Sequence, residues 1–253
     1  MLKDWLERVF SPSLIAVVHI PKTGGSSLNS ILTQWSAQGR PHCEGFLGNT
    51  EELGRLVRDV PWLSGHVPLP VLRTALLSTT RRRVYFYTVL REPTSQIASH
   101  YNWLIEIQHR GEAFFEGHPR EIKAMSRVIR ESDNRDPGAI TRNLEQFGHL
   151  FLNQQFRMAI GGQTEIDVGS RVAHVAREYR MIGTEYSFDE LAFRITGERG
   201  AQPVRENTSR YHFDPHVFRS PPVQVFLQER HAADYQLYEW VRHREKAERK
   251  SGS

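Results

Sequence analysis

Apolar runs alternate with stretches of helical spacing along most of this 253-residue chain, a pattern typical of α/β proteins. The first apolar run, SLIAVVHI at residues 13–20, contains no Asp, Glu, Lys or Arg and predicts a strand buried on both faces of a parallel sheet. A helix is predicted directly after it, from about Ser26 to Trp35. The segment RRVYFYTVLREP at residues 82–93 predicts a second strand, which stops at Pro93. We therefore expect a single α/β domain with a parallel sheet flanked by helices.

The remaining segments are assigned from the same periodicities. Residues 62–76 predict a short strand followed by a helix, and residues 171–183 predict a helix followed by a short strand. Continuous helices are predicted at 94–110, at 143–162 with Gly161 as its C-terminal cap, at 188–197 and at 221–245. Irregular structure with an NRDPG turn is predicted from Gly111 to residue 139, and a frayed helix end with a disordered tail at 243–253.

Composition and charge narrow the functional classes only slightly. The formal net charge of +4 suits anionic ligands without requiring nucleic acid, and no nucleic-acid-binding motif is recognisable. Cys43 is the only cysteine, which excludes an internal disulfide and a cysteine-cluster zinc site and favours a cytoplasmic protein. No apolar run is long enough to span a bilayer, so no integral membrane segment is expected.

The stretch VVHIPKTGGSS, residues 17–27, leads from the first predicted strand through a glycine turn into the first predicted helix. A helix N-terminus presents unpaired N–H groups and the positive end of the helix dipole, so this turn is suited to an oxyanion. Lys22 adds a positive charge, and Ser26 and Ser27 are expected to cap the helix and to donate to the anion. Because Lys22 precedes the glycines, the turn differs from the phosphate loop of nucleotide hydrolases. A turn without a ligand is the alternative interpretation.

A second candidate anion site follows the second strong strand. Arg91 ends this strand and Ser99 lies eight residues later, so the two side chains are predicted to converge on one phosphate. Ligands of open α/β sheets bind at the carboxyl ends of the strands, where both turns are predicted to lie. Two anion sites on neighbouring strands predict a ligand with two separated phosphates.

The two turns together resemble those of a known enzyme family. HIPKTGGSS closely resembles the 5'-phosphosulfate loop of the membrane-type carbohydrate sulfotransferases, and TVLREPTSQIASHY resembles their 3'-phosphate motif. The resemblance continues more weakly through NQQFRMAIGG, YRMIGTEYSFDELAF and RENTSRYHF. It implies a P-loop-like α/β fold related to nucleotide kinases, and the donor 3'-phosphoadenosine 5'-phosphosulfate (PAPS). The residues that it implies for donor binding are Lys22, Thr23, Gly24, Gly25, Ser26, Ser27, Arg91 and Ser99.

The resemblance also implies a catalytic base and a late donor-binding loop. Heparan sulfate 2-O-sulfotransferases have a histidine in a Gly-His-Val setting between the two phosphate motifs, and His66 stands in the SGHV of this chain. An imidazole with an ordinary pKa of about 6.5 is suited to removing a proton from a hydroxyl. A carboxylate base, as in other branches of the family, and a purely structural His66 are the alternatives. Arg205, Asn207 and Ser209 resemble a loop that closes over the donor, with a polar surface loop as the alternative.

The expected function is transfer of a sulfuryl group from PAPS to a hydroxyl of a saccharide or glycolipid by in-line displacement. Lys22 is expected to stabilise the charge that develops on the leaving phosphate. No metal is expected, because fixed cations and N–H groups would stabilise the charge in its place, and His19, His66 and Cys43 also lack the ligand spacing of a zinc site. Animal members of the family carry membrane anchors and usually disulfides, so the resemblance predicts a bacterial-type cytoplasmic enzyme. An ATP-dependent small-molecule kinase and a non-catalytic polyanion-binding module are the alternatives.

Overall fold

The computed structural model describes residues 12–162, 168–200 and 210–251, and four parallel strands form the sheet within them. The strands are β1 (Leu14–Val18), β2 (Trp62–Gly65), β3 (Val84–Leu90) and β4 (Tyr179–Thr184). Their order across the sheet is β2-β1-β3-β4, and every neighbouring pair is parallel. The expected α/β class with a parallel sheet flanked by helices is confirmed. All carboxyl ends of the strands therefore lie at one edge of the sheet.

Helices connect the strands and cover both faces of the sheet. In chain order the α-helices of the described residues are α1 (Gly25–Trp35), α2 (Thr50–Asp59), α3 (Leu69–Thr79), α4 (Pro93–His109), α5 (Glu112–Glu116), α6 (Arg120–Glu131), α7 (Pro137–Gln146), α8 (Gly148–Phe151), α9 (Gln154–Ala159), α10 (Val168–Val175), α11 (Phe188–Thr196), α12 (Pro221–Arg230) and α13 (Ala232–Ser251).

The alternation of side chains along β1 explains why both faces need a cover. Every residue of β1 is buried. Leu14, Ala16 and Val18 belong to the core formed with α2, α3, α9, α10 and α13. Ile15 and Val17 belong instead to the core formed with α1 and α11. The uninterrupted apolar run in the sequence is therefore the sequence of a central strand in a three-layer arrangement.

A further apolar cluster surrounds α4 beyond the end of the sheet. It joins α4 to α6, α7, α8 and α12. Irregular structure was expected between Gly111 and residue 139, and this prediction is wrong for much of that range, which α5 and α6 occupy, whereas the predicted NRDPG turn is present between α6 and α7. Met125 and Ile129 lie one turn apart on α6 and are buried in the cluster. The charged residues of this segment form the outer face of an amphipathic helix.

Two helices that were predicted as continuous are broken in the structure. Residues 143–162 contain parts of α7, α8 and α9, with Asn153 in the left-handed region (φ 49°) before α9. Residues 221–245 are divided between α12 and α13 at His231. The backbone N–H of Asn153 donates to Nδ1 of His231 (3.3 Å), and Oδ1 of Asn153 accepts from the N–H groups of Ala233 and Asp234 at the start of α13. These hydrogen bonds therefore stabilise both helix breaks, the one at Asn153 and the one at His231. Gly161 (φ 77°) lies just past the C-terminal cap of α9.

α13 continues through Ser251 and includes most of the segment that was expected to form a frayed end and tail. Within the described ranges, no helix is both long enough and apolar enough to cross a membrane.

Candidate active site

The turn after β1 forms an open helix N-terminus. Lys22 adopts a positive φ of 66° and Gly24 a φ of 104°, and α1 begins at Gly25. Gly24 is the N-cap and offers no side chain, and within the described ranges no side chain is seen to accept from the first N–H groups of α1, whose first turn contains no acidic residue. The prediction that Ser26 and Ser27 cap the helix is therefore wrong, because they lie inside its first turn. The free N–H groups and the dipole together favour an anion at this point.

The glycines of this turn are required by close packing as well as by φ. The ring of His19 lies against Gly25, where an added Cβ would fall 1.9 Å from Cδ2 of the ring. Thr23 is buried, and its hydroxyl donates to the carbonyl oxygen of Ile20 at 3.0 Å. Thr23 therefore stabilises the turn through its side chain, and Gly25 allows the backbone to approach His19.

The end of β3 is held in place by α9. The side-chain amide of Gln155 accepts from the N–H of Arg91 and donates to its carbonyl oxygen, both at 2.9 Å. Nη1 of Arg91 donates to the carbonyl oxygen of Lys22 at 3.3 Å. The amide of Gln96 donates to the carbonyl oxygen of Pro21 (2.9 Å) and to Oε1 of Gln154 (2.8 Å). The two turns that the sequence singles out are thus neighbours, joined by direct hydrogen bonds.

Several cations surround the turn after β1. The pKa of the Lys22 ammonium is lowered, first by burial and then by the positive charges of Arg110 and Arg91, whereas Glu106 acts in the opposite direction. The lowered pKa of Lys22 shows that the neighbouring positive charges disfavour its charged form, and an anionic ligand bound here would offset this repulsion. The positive charges therefore favour an anion at the same place as the N–H groups at the start of α1.

The N-terminus of α4 differs from that of α1. The carboxylate of Glu92 accepts from the N–H groups of Thr94 and Ser95, both at 2.9 Å, and so occupies this helix start. A cavity of about 220 Å³ lies beside it and is lined by Arg91, Ser95 and Arg219 among others. Ser99 lies one turn after Ser95 on α4 and is buried, with 8 % of its surface exposed. A phosphate in this cavity would be bound by the arginine side chains rather than by the helix N-terminus.

His66 follows β2 and lies beside the turn after β1. Its Nδ1 lies 2.7 Å from the carbonyl oxygen of His19 and must therefore be the protonated, donating nitrogen. The free lone pair of the neutral ring is then on Nε2. The His66 pKa is lowered, first because surrounding groups displace water from the ring, while the His19 carbonyl and Glu44 oppose this shift and His42 adds to it. His66 thus remains neutral at physiological pH, as a base must.

A cavity of about 350 Å³ brings these groups together. Lys22 and Ser26 line it on the side of α1, and His66 lines it on the side of β2. Its apolar wall includes Trp103. The volume lies within the usual range of small-molecule sites, and an apolar wall with a few convergent polar groups is their usual composition.

The sequence patterns did not identify His42 and Glu44 as candidate site residues. They lie in the connection between α1 and α2, and their ligand atoms lie within 4.8 Å of each other and of those of His66. Among the described residues, this is the only group of three or more histidines, cysteines or carboxylates with the geometry to hold a metal ion. The only local signal was the short spacing in HCE, which is too common to indicate a site.

The structure brings most of the predicted donor-binding residues to one edge of the sheet. Those that follow the carboxyl ends of β1 and β3 are Lys22, Thr23, Gly24, Gly25, Ser26, Ser27 and Arg91, and His66 follows β2 at the same edge. Ser99 lies instead in the second turn of α4, is buried, and does not line the cavity beside Arg91. The other three predicted donor-binding residues, Arg205, Asn207 and Ser209, lie outside the described residues.

No protein-family model matches the chain, and no curated protein is significantly similar to it. A functional proposal must therefore be based on the chemistry of the site.

Proposed function

We propose that this protein is a sulfotransferase that moves a sulfuryl group from PAPS to a hydroxyl of a saccharide or glycolipid, on a P-loop-like sheet. The observation that carries the proposal is the direct contact of two anion-binding turns, through Arg91 Nη1 and the Lys22 carbonyl, beside a neutral His66. A donor with a 5'-phosphosulfate and a 3'-phosphate has two anionic groups for these turns.

In this proposal the 5'-phosphosulfate binds at the N-terminus of α1. The free N–H groups of Gly25, Ser26 and Ser27 face the phosphate oxygens, and the Lys22 ammonium neutralises them. Arg91 binds the 3'-phosphate, whereas Ser99, the second contact that the sequence predicts, does not line the cavity beside Arg91. Gln155 fixes the backbone of Arg91 and the Lys22 carbonyl accepts from its guanidinium, so Arg91 requires less further ordering when the donor binds.

The reaction is an in-line displacement at sulfur. The acceptor oxygen forms the new S–O bond while its proton passes to Nε2 of His66. The bond between sulfur and the 5'-phosphate oxygen breaks, and its electron pair remains on that oxygen as phosphate charge. Lys22 and the N–H groups of α1 stabilise this charge, which is larger in the transition state than in the bound donor.

The acceptor binds in the cavity of about 350 Å³, which reaches both Lys22 and His66. Trp103 provides an aromatic ring in the wall of this cavity, a surface suited to the apolar face of a sugar. Arg110 lines the same cavity and favours an acceptor with a negative charge near its hydroxyl.

Two alternative functions predict different binding behaviour. A kinase would require magnesium with ATP, and the second anion site at Arg91 would then have no phosphate to bind. A polyanion-binding module would depend on many surface arginines, so its affinity would fall steeply with salt and would not depend on Arg91 alone.

The deciding experiment compares the thermal stabilisation of the protein by 3'-phosphoadenosine 5'-phosphate with that by AMP, ADP and magnesium ATP. A ligand that binds only the folded state raises the melting temperature. We expect the 3'-phosphorylated nucleotide to give the largest shift, and Arg91→Ala to remove its advantage over ADP. Arg55→Ala, a surface arginine paired with Glu51, is the control and should behave as wild type. A larger shift with magnesium ATP, or no shift with any nucleotide, would overturn the proposal.

A further inference from the structure

We propose that His42, Glu44 and His66 bind one divalent cation of the zinc class at the rim of the cavity. Their ligand atoms all lie within 4.8 Å of one another. Two imidazoles and one carboxylate are the ligand set of many zinc sites that keep a fourth position open. Nitrogen ligands favour zinc, copper, nickel or cobalt over magnesium and calcium, which prefer oxygen.

His66 already has the protonation state that a metal ligand needs. Its Nδ1–H donates to the carbonyl oxygen of His19 at 2.7 Å, which leaves the lone pair of Nε2 free. Histidines that bind metals in proteins almost always donate their other ring N–H to a carbonyl or carboxylate in this way. The backbone N–H of His66 donates to Oε1 of Glu44, which holds this carboxylate beside the imidazole.

The segment that carries His42 and Glu44 is fixed to the sheet. Arg40 forms an isolated parallel bridge with Leu63 of β2, with hydrogen bonds on both sides. The buried Cys43 then packs so closely on Gly65 that a Cβ there would fall 2.7 Å from its sulfur. Cys43 is buried, whereas the side chains of its two neighbours in the chain are at least partly exposed and have ligand atoms within 4.8 Å of one another and of a ring nitrogen of His66. The folded backbone therefore holds His42 and Glu44 close to His66 before a metal ion binds.

Only a small closure separates this arrangement from a metal site. Zinc–ligand bonds of about 2.0 to 2.1 Å put tetrahedral ligand atoms about 3.4 Å apart. The His42 side chain is 65 % exposed and the Glu44 side chain 33 % exposed, so rotation of these side chains meets little resistance from packing. His42 and Glu44 already approach each other, with Nδ1 3.9 Å from Oε1.

The bound cation would have a functional consequence, which rests on the proposed sulfuryl transfer. Nε2 of His66 cannot bind a metal and accept a proton from the acceptor at the same time. A zinc-class cation would therefore inhibit transfer without competing with the nucleotide. Binding of the cation itself does not depend on what reaction the protein catalyses.

The test is calorimetric titration of zinc into tag-free, metal-stripped, full-length protein, with the visible absorption of added cobalt as a second measurement. We expect one site per chain in the wild type and no comparable binding of magnesium. His42→Ala and Glu44→Gln should each weaken zinc binding at least about tenfold, because loss of a ligand costs no less than loss of a supporting contact. Circular dichroism melting checks that each variant is folded, and one folded variant is sufficient for the test.

A matched control is available on α13. His243 and Glu239 form an exposed pair with the same 3.9 Å separation but belong to no group of three ligands among the described residues. His243→Ala should leave zinc binding unchanged. The proposal is overturned if wild type shows no single site, or if His42→Ala and Glu44→Gln bind zinc as tightly as His243→Ala. Stabilisation by 3'-phosphoadenosine 5'-phosphate is measured separately, so failure of the metal site and failure of the proposed function are distinguishable.

Discussion

The ring of His19 lies so close to Gly25 that no side chain fits between them, since a Cβ on Gly25 would meet Cδ2 of the ring at 1.9 Å. Gly25→Ala should therefore displace the first residue of α1 or the ring. Because the N–H groups of this turn are the proposed phosphate contacts, we expect the affinity for 3'-phosphoadenosine 5'-phosphate to fall at least about tenfold, which is about 1.4 kcal/mol. Calorimetric titration of the nucleotide into each protein measures this affinity.

The control for this change is Gly48→Ala. A Cβ added at Gly48 would meet no atom within 4 Å, and the residue has no positive φ, so nucleotide affinity should stay as in wild type. Equal affinity of Gly25→Ala and wild type would mean that the nucleotide does not bind at the start of α1.

Gln155 is predicted to support nucleotide binding indirectly, because it fixes the backbone of Arg91. Gln155→Leu leaves the backbone N–H and carbonyl of Arg91 without their partners, at a cost of about 1 to 3 kcal/mol for each group. We expect the free energy of unfolding, measured in urea, to fall by at least about 2 kcal/mol, and nucleotide affinity to fall as well. Gln34→Leu, on the exposed surface of α1, should change neither quantity. Unchanged nucleotide affinity in a folded Gln155→Leu protein would remove Arg91 from the binding site.

His66 is predicted to affect transfer more than binding. His66→Ala removes the proposed base, so transfer from radiolabelled PAPS to a hydroxyl acceptor found by screening should slow by about 100-fold to 10,000-fold. The affinity for 3'-phosphoadenosine 5'-phosphate should remain close to that of wild type, because the proposed nucleotide contacts lie on α1 and at Arg91. His243→Ala is the surface control. Wild-type turnover in His66→Ala would assign proton removal to another group.

Buried neutral histidines should make the protein sensitive to acid. His231 is fully buried, and its pKa is lowered to about 3, first by burial and then by the charges of Arg157 and Arg230. Because this folded-state pKa is below the unfolded value of about 6.5, its contribution to stability is present above pH 6.5 and is lost as the pH falls towards 3. Within this window the free energy of unfolding should fall by about 1.4 kcal/mol per pH unit for each such histidine.

The measurement compares urea unfolding of wild type and His231→Asn at about pH 7 and about pH 5. We expect the variant to lose less stability on acidification, by about 1.4 kcal/mol for each pH unit below about 6.5 and so by about 2 kcal/mol in all. Asp234, whose pKa burial raises to about 7, changes stability in the opposite direction. The difference between the two proteins therefore isolates His231, and identical slopes would mean that His231 takes up its proton without unfolding.

Local sequence patterns were sufficient to predict the elements that carry the two candidate anion-binding turns. β1, β3 and α1 lie where the apolar runs and the glycine turn placed them, because their burial and φ requirements are local. The break at Asn153 could not be predicted in the same way. Asn153 leaves the helical conformation to cap α13 and to meet His231, which is 78 residues away. No periodicity within one segment contains that information.

Part of the candidate site likewise depends on long-range contacts that local sequence patterns do not reveal. Lys22 and Arg91 follow strands and were recognisable from position alone. His42 and Glu44 reach His66 only because Arg40 pairs with β2 and Cys43 packs on Gly65. These contacts form only in the folded chain. Sequence patterns therefore identified His66 but not its neighbours His42 and Glu44.

Gln154 and Gln155 are adjacent in the chain, yet each is linked to a different phosphate turn. Gln154 is linked through Gln96 to the turn after β1, and Gln155 binds Arg91 directly. One dipeptide therefore links the two candidate anion sites through hydrogen bonds. Under the proposed function, nucleotides whose phosphates are spaced differently are discriminated at α9, and redesign of donor preference would have to begin with this helix.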